Sequence, residues 1–233
     1  MNGISVIIPV VDEQEFIGSA ILQFSRDLVE VIVVDGGSKD HTIQVGKNAG
    51  AIVIECPIRS RAAQMNLGAR NAKYEILFFV HADVKVPTTF YEDIQNSITK
   101  GNACGCYRSG FENYPGLMRI NSFMTRFNLL TFRGGDQTLF ITKNIFEKLN
   151  GFDEYFTIME DYNIIKRIWN ANIPFELIQK DVIISTRKYQ NNSWLRVQIA
   201  NGMAMFLFNR GKKPDEIKRS YRKLLNYKSE NYQ

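Results

Sequence analysis

Hydrophobic and polar positions along the first hundred residues fall into two alternating kinds of segment. Short continuous apolar runs, typical of strands buried on both faces, lie at residues 4–11, 31–37, 51–55 and 75–83. Each run is followed by a segment with helical character, at residues 13–27, 40–50, 61–72 and 88–99. Strands that alternate with helices predict βαβ units, and therefore a mostly parallel sheet with helices on both faces.

The second half of the chain is less regular. Residues 101–115 are rich in Gly, Tyr and Cys and interrupt the alternation, and residues 116–132 form an amphipathic segment. Further strands are predicted at 137–142 and 182–186, and further helices at 162–171 and 194–209. We expect one domain, residues 1–233, with a helical carboxyl-terminal extension over 191–233.

The composition is that of an ordinary soluble globular protein, with 45% hydrophobic and 23% charged residues among 233. Because an apolar strand follows the amino terminus almost at once, we expect no leader. No apolar run approaches the roughly 20 residues that span a bilayer. The three cysteines suit neither a disulfide framework nor a zinc site, so we expect reduced thiols and a cytoplasmic protein.

The formal charge of +5 is concentrated at the carboxyl-terminal end. From residue 210 onward, eight Lys and Arg residues stand against three acidic residues, which accounts for the whole excess. The balanced remainder argues against a nucleic-acid-binding protein. The basic end fits a solvated terminal helix, the commoner case, or a surface that contacts an anionic membrane peripherally.

Three acidic residues follow predicted strands. Glu13 follows the first strand, and Asp35 and Asp83 end the second and fourth. Because parallel strands end at one edge of a sheet, and ligands bind there in open α/β folds, these side chains predict a ligand site. The alternative is that Asp83 only caps a turn. The chain has no GxGxxG after its first strand and no GxxxxGK[ST] loop, which argues against dinucleotide and P-loop chemistry.

Six stretches in a fixed order resemble the family 2 glycosyltransferases of the GT-A fold. They are SVIIPVVDEQEFI, VVDGGSKDHT, RAAQMNLGARNA, FFVHAD, GGDQTLFI and MEDYNIIKRI. The chain resembles more narrowly a bacterial subgroup with motifs that here read SRAAQMN, HAD and STRK. The resemblance implies a single Rossmann-like α/β domain, with a nucleotide-binding half over 1–100 and an acceptor-binding half over 101–190.

The resemblance also implies a site for a nucleotide-sugar donor, a UDP- or GDP-sugar. Asp35, with Gly37 in the glycine turn after it, would contact the base, and the segment Pro9–Glu13, with Val11, would line the same pocket. Arg61 would lie near the nucleotide or its phosphates. Asp83 would bind Mg²⁺ or Mn²⁺, hard cations that suit a carboxylate and a diphosphate. His81 stands where many relatives carry an acid, and its part in metal binding stays open.

On the acceptor side, the resemblance assigns the general base to Asp161, with Glu160 beside it. Two acids also suit the first turn of any helix, so this pair alone does not establish a base. Asp136 and Gln137 would bind a polar or lipid-linked acceptor, and Arg187 of the STRK stretch would contact the diphosphate. The oligomeric state is not predicted.

The function implied is an inverting, metal-assisted glycosyltransferase. Two alternatives stay open from the residues themselves. A nucleotidyltransferase would share the sheet and the metal aspartate but release pyrophosphate. A nucleotide-sugar-binding protein without transfer activity would keep Asp35 and Asp83 but would not hydrolyse the donor.

Overall fold

The computed structural model describes residues 3–111, 116, 118–133 and 138–225. Within them the strands are β1 (Ile4–Val10), β2 (Val29–Asp35), β3 (Ile52–Glu55), β4 (Ile76–Phe79), β5 (Cys104–Gly110), β6 (Leu139–Thr142) and β7 (Phe175–Ile183). The helices are α1 (Ile17–Leu22), α2 (Thr42–Asn48), α3 (Arg61–Asn71), α4 (Phe90–Thr99), α5 (Met118–Met124), α6 (Lys143–Lys148), α7 (Glu160–Asn170), α8 (Arg187–Gln190), α9 (Trp194–Asn209) and α10 (Pro214–Leu224).

The described strands form one sheet in the order β3-β2-β1-β4-β6-β5-β7. Strand β1 pairs in parallel with β2 on one side and β4 on the other, and all of its residues are buried. Strand β6 runs antiparallel to both of its neighbours, whereas β5 and β7 pair in parallel. The predicted mostly parallel α/β sheet, flanked by helices and followed by carboxyl-terminal helices, is confirmed.

Alternate side chains of β1 supply two separate hydrophobic cores. Val6 and Ile8 belong to the core that also contains Ile17 of α1 and Phe90 of α4. Ile7 points to the opposite face, as strand geometry requires, and joins a core with residues of α3 and α7. Helices on both faces therefore keep the middle of the sheet away from water and leave its carboxyl edge for a ligand.

The interruption predicted at 101–115 contains a strand, so that part of the prediction was wrong. Cys104 and Cys106 of β5 are buried, and Gly105 between them lies against β7. A Cβ atom on Gly105 would come within 2.3 Å of the Glu176 carbonyl oxygen. Glycine does not count as hydrophobic, although a close strand pair requires it here. The hydrophobic pattern of the sequence therefore did not predict this strand.

Two other strand boundaries also differ from the prediction. Strand β4 ends at Phe79, so His81 and Asp83 lie in the following turn, where the Val84 N–H donates to the His81 carbonyl oxygen at 3.2 Å. Strand β7 begins at Phe175, seven residues before the predicted run at 182, because it continues along β5 through polar residues.

The two carboxyl-terminal helices pack on the loop before α7. Met159 of that loop is buried with Ala204, Met205 and Phe208 of α9 and with Ile217 of α10.

No helix in the described ranges combines the length and the apolar character needed to cross a membrane. Cys56, Cys104 and Cys106 are buried and form no disulfide with one another, and burial raises the pKa of Cys104 to about 12.

Candidate functional site

The loops that follow β1 and β2 are held together by hydrogen bonds from side chain to backbone. The Asp12 N–H donates to Ser38 Oγ at 2.9 Å, and the Lys39 N–H donates back to Asp12 Oδ1 at 2.7 Å. The Glu13 N–H donates to Thr42 Oγ1 at 2.8 Å. The Ile17 N–H also donates to the Glu13 carbonyl oxygen at 2.9 Å, so a hydrogen-bonded turn does start at residue 13, although helix α1 itself begins only at Ile17. Together these contacts fix the segment that was expected to line a nucleotide pocket.

Asp35 ends β2 and is almost fully buried, with 1% of its surface exposed. Its Oδ2 accepts from the N–H groups of Gly37 at 2.8 Å and Ser38 at 3.0 Å, and its Oδ1 accepts from the Ser38 hydroxyl. Gly37 has a φ of +93°, a conformation that glycine adopts without steric cost. Asp35 therefore shapes the turn, and a contact with a nucleotide base stays a prediction.

Gln64 was not singled out from the sequence, although it lies within the SRAAQMN motif. Its side-chain amide is buried and donates to the carbonyl oxygens of Val10 at 2.8 Å and Val34 at 2.7 Å. A Cβ atom on Gly36 would come within 2.9 Å of the Gln64 side chain, so this position of the turn accommodates only glycine without a shift. Gln64 thus joins the carboxyl ends of β1 and β2 beneath the site.

A second polar residue of the same motif fixes the loop after α6. Asn66 Nδ2 donates to the Phe152 carbonyl oxygen and to Glu154 Oε1, both at 2.9 Å, and Asn66 Oδ1 accepts from the Phe152 N–H at 2.9 Å. The loop from Gly151 onward leads directly to Glu160 and Asp161. A glutamine and an asparagine two residues apart on one helix are therefore the signal that could have identified both positions.

Arg187 lies between two of the predicted acidic residues. Its Nη1 and Nη2 donate to the two carboxylate oxygens of Glu13, both at 3.0 Å. Its Nε and Nη2 also donate to Asp83 Oδ2, at 3.2 and 2.7 Å. The guanidinium stacks over the Phe16 ring, 4.4 Å from its centroid. The structure thus brings Glu13, Asp83 and Arg187 together at the carboxyl edge of the sheet.

The ionisation of this cluster follows from its position at the edge of the core. Burial raises the pKa of the Glu13 carboxyl above its ordinary value of 4.5, and the hydrogen bonds and charge of Arg187 oppose this effect only in part. Burial by itself would lower the pKa of Arg187, but its hydrogen bonds to Glu13 and the charge of Asp83 outweigh burial, and the pKa is raised. Arg187 is therefore a permanent cation facing the two acids.

Glu160 and Asp161 are the first two residues of α7, which begins two residues before the predicted helix at 162. The preceding residue, Met159, has a left-handed backbone with φ 67° and is buried against the carboxyl-terminal helices. Glu160 is 4% exposed, and its Oε1 accepts from Arg61 Nη1 at 3.2 Å. Because Arg61 begins α3, just beyond the carboxyl end of β3, this ion pair places the start of α7 at the same sheet edge.

Asp161 is partly exposed, in contrast to the buried Glu160. A carboxylate in the first turn of a helix is stabilised in its ionised form, which suits a proton acceptor. Asp136 and Gln137 lie outside the described residues. Arg133, just before them, is fully buried and donates to the Phe127 carbonyl oxygen at 2.8 Å, so it anchors the end of the 118–133 segment.

A cavity of about 690 Å³ lies on the flank of the molecule and not at this edge. It is lined by residues from the middle of α3, from α6 and from the loop that follows α6, together with Arg167 of α7. None of the predicted site residues that the structure describes lines it. Across the residues described, no group of three or more His, Cys, Asp or Glu side chains is arranged to hold a metal ion without other ligands.

The sequence model for glycosyl transferase family 2 matches residues 5–160. The chain belongs to glycosyl transferase family 2. The predicted enzyme class, a glycosyltransferase, is thereby confirmed, and the match runs from β1 to the first residue of α7. No curated protein matches the chain by sequence.

Solved structures share the fold of this family 2 glycosyltransferase at low sequence identity. The mannosyltransferase PcManGT from Pyrobaculum calidifontis, in complex with GDP-Man and Mn²⁺, has a TM-score of 0.68 and 17% identity, over 96% of this chain and 70% of that chain. Residues 1–349 of TarS from S. aureus give 0.65 and 14%, over 96% and 71%. Glucosyl-3-phosphoglycerate synthase from Mycobacterium tuberculosis, with Mn²⁺, UDP and glucosyl-3-phosphoglycerate, gives 0.60 and 18%, over 91% and 81%.

Proposed function

We propose that the protein transfers a sugar, with inversion, from a UDP- or GDP-sugar to a polar or lipid-linked acceptor at the cytoplasmic face of a membrane, with Asp161 as the general base. The observation that carries this proposal is the arrangement at one sheet edge. Arg187 contacts both Glu13 and Asp83 there, and the Arg61–Glu160 ion pair brings the start of α7 to the same edge.

The donor would lie across the ends of β1 and β2. The segment Pro9–Glu13, the Asp35 turn and Gly37 would form the nucleotide pocket, and Arg61 would contact the phosphates. In this proposal residues 1–100 would bind the donor and residues 101–190 the acceptor, within one domain that 191–233 extends. The motifs SRAAQMN, HAD and STRK support membership of the narrower bacterial subgroup.

The chemistry of the carboxylates fits a divalent metal. Asp83 and Glu13 offer hard oxygen ligands, and they already hold a cation, the guanidinium of Arg187, between them. Asp83 would hold Mg²⁺ or Mn²⁺, and the remaining ligands would come from the donor diphosphate and water. When bound, the metal would supply positive charge where the nucleoside diphosphate departs. The PcManGT complex, which contains both GDP-Man and Mn²⁺, supports this assignment.

The residues of the chain supply the remaining chemistry. Asp161 would accept the proton of the acceptor hydroxyl while that oxygen attacks the anomeric carbon. The bond from the anomeric carbon to the diphosphate oxygen breaks on the opposite side, and its electron pair leaves with the nucleoside diphosphate. Attack from the opposite side inverts the anomeric configuration. Arg187, which lies beside Asp83, would contact the departing diphosphate.

The test compares donor binding with turnover in two variants. We expect Asp161→Asn to bind the donor as tightly as the wild type, measured by thermal unfolding against UDP-, GDP- and other nucleotide sugars with Mn²⁺, but to lose hydrolysis and transfer. We expect Asp83→Ala to lose the Mn²⁺-dependent shift. A ligand at about 100 times its dissociation constant stabilises a protein by roughly 2.7 kcal/mol, which is readily measured.

Asp153→Asn is the matched control for the base, because Asp153 is exposed and lies in the loop that leads to α7. Its turnover should equal that of the wild type. Near-full transfer by Asp161→Asn would show that the base is another residue. Release of pyrophosphate would indicate a nucleotidyltransferase, and donor binding without any turnover would indicate a binding protein.

A further inference from the structure

Helix α9 exposes a stripe of large apolar side chains. Leu195, Ile199, Met203 and Phe206 are 61%, 50%, 41% and 53% exposed. At about 100° per residue, these spacings of four, four and three place all four side chains within an arc of roughly 80°. Gly202 lies next to the same arc and has open space around it. The stripe is therefore a continuous surface and not a set of scattered exposed residues.

The opposite side of α9 is the side that packs on the protein. Its buried residues are Val197, Ala200, Ala204, Met205 and Phe208. A helix that is apolar on all sides is normally buried on all sides, whereas α9 is covered on one side only by the residues that the structure describes. Packing within the domain explains why the residues on the buried side of α9 are apolar, but it does not explain why the exposed residues of the stripe are apolar too.

Positive charge borders the stripe. The sequence of α9 contains no Asp or Glu, and the exposed Arg196 and Arg210 flank the apolar side chains, with Arg210 stacked 4.9 Å from the centre of the Phe206 ring. Lys212 and Lys213 follow in the connection to α10 and are also exposed. Helix α10 packs on the buried side of α9. It carries four further cations, beside Asp215: Lys218, Arg219, Arg222 and Lys223.

We propose that this surface, the α9 stripe with its bordering cations, docks on an anionic lipid bilayer. This inference rests on the proposed function, which includes a peripheral membrane contact, and it names the surface that would make that contact. Apolar side chains that enter the headgroup boundary, flanked by cations that attract anionic lipids, are the two features that bind a helix to a membrane surface. A second copy of the chain is a poor fit, because a symmetric dimer would place the same cations against each other.

A second group of exposed apolar side chains lies in the segment 118–133. Ile120, Phe123, Phe127 and Leu129 are each about half exposed, in and after α5. The Tyr189 hydroxyl is within hydrogen-bond distance of Asn121 Nδ2 of α5, at 3.3 Å, and of Gln198 Nε2 of α9, at 3.5 Å. Helices α5 and α9 therefore both contact Tyr189. In this proposal the exposed apolar residues in and after α5 would extend the docking surface toward the acceptor half.

The docking surface is coupled to the site through the other side of α9. Phe208 and Met205 pack against Met159, the residue immediately before Glu160 and Asp161. Helix α8, which begins at Arg187, ends only four residues before α9 begins at Trp194. A bilayer on the outer side of α9 would thus lie one helix away from the predicted base, where an acceptor carried by a lipid would be presented.

The experiment is sedimentation of the full-length, donor-free protein with two kinds of vesicle, phosphatidylcholine alone and phosphatidylcholine mixed with phosphatidylglycerol. We expect binding to the mixed vesicles, weaker binding to the neutral ones, and a decrease as salt is raised. The double variant Ile199→Gln, Met203→Gln should bind the mixed vesicles at least about tenfold more weakly, because two half-exposed side chains no longer enter the bilayer.

Leu22→Gln is the matched control, because Leu22 is 66% exposed on α1, outside the carboxyl-terminal helices. It should bind as the wild type does, and all variants should unfold at the wild-type temperature because the altered side chains are exposed. Equal binding by the double variant and the control, or no binding to either vesicle, would overturn the proposal. So would a concentration-dependent dimer that the double variant abolishes. Asp161→Asn should still bind vesicles, because Asp161 is not part of the docking surface. A failure of the proposed transfer reaction can therefore be told apart from a failure of membrane docking.

Discussion

Removal of the Arg187 guanidinium tests whether a single cation neutralises the two site carboxylates. In Arg187→Gln, four hydrogen bonds to Glu13 and Asp83 are lost. Loss of one partner of a fully buried ion pair costs about 3–5 kcal/mol, and loss of an exposed pair about 0–1 kcal/mol. The side chains of Arg187, Glu13 and Asp83 are 35%, 16% and 22% exposed, which lies between these limits.

Allowing for this exposure, we expect a destabilisation of about 2 kcal/mol, which lowers the unfolding midpoint by about 4–8 °C for a chain of this size. Arg26→Gln is the matched control. Arg26 also forms a two-pronged ion pair, with Glu92, and stacks on an aromatic ring. Its own side chain is as exposed as that of Arg187, but its carboxylate partner is far more exposed, at 52%. The control should lose less than about 1 kcal/mol.

The loss of stability in Arg187→Gln should depend on pH in a defined direction. The pKa of Glu13 is already raised in the folded wild type, because burial disfavours its charged form. Without Arg187 the pKa of Glu13 rises further, so the folded variant gains stability when Glu13 takes up a proton. The destabilisation relative to the wild type should therefore be full at pH 8 and should shrink as the pH falls toward 5.

Mn²⁺ gives an independent measurement on the same variant. If the cation site is Asp83, a divalent metal competes with Arg187, and Mn²⁺ should raise the unfolding midpoint of Arg187→Gln more than that of the wild type. Addition of Asp83→Asn should abolish this gain. The neutralising role of Arg187 would be refuted by three results together. These are an unfolding midpoint of Arg187→Gln equal to that of Arg26→Gln, a stability loss that does not change with pH, and no extra stabilisation of the variant by Mn²⁺.

Two further predictions concern the scaffold beneath the site. Gly68→Ala should destabilise the fold by about 1–3 kcal/mol in denaturant unfolding, because the added Cβ would lie 2.5 Å from Cγ2 of Ile7; an unchanged midpoint would show that α3 can move away from β1 freely. Gln64→Leu should cost about 2 kcal/mol, because the carbonyl oxygens of Val10 and Val34 lose their buried donor. Glutamine at position 64 should also be needed for donor binding, and unchanged donor affinity in Gln64→Leu would contradict that positioning role.

The central sheet could be predicted from the sequence because its signals are local. The strands β1 to β4 are apolar runs separated by helical segments, and parallel pairing follows from the connections between them. Glu13, Asp35 and Asp83 could be assigned to one sheet edge for the same reason. The interruption at β5 was misjudged because Gly105 and two cysteines carry a weak hydrophobic pattern, although they are buried in a close strand pair.

Other features depend on contacts between distant parts of the chain, which periodicity does not report. Arg187 lies 174 residues from Glu13 in the sequence, and only the order of the strands brings its guanidinium between Glu13 and Asp83. The buried roles of Gln64 and Asn66 depend likewise on which carbonyl oxygens the fold leaves beside α3. The apolar residues of α9 were visible in the sequence, but only tertiary packing decides which of them the protein covers. The sequence by itself determined the strands β1 to β4 and the position of the acids that follow them, since local burial patterns specify both. The tertiary structure decided the pairing of β5 with β7, the partners of those acids and the face of α9 that remains for another surface.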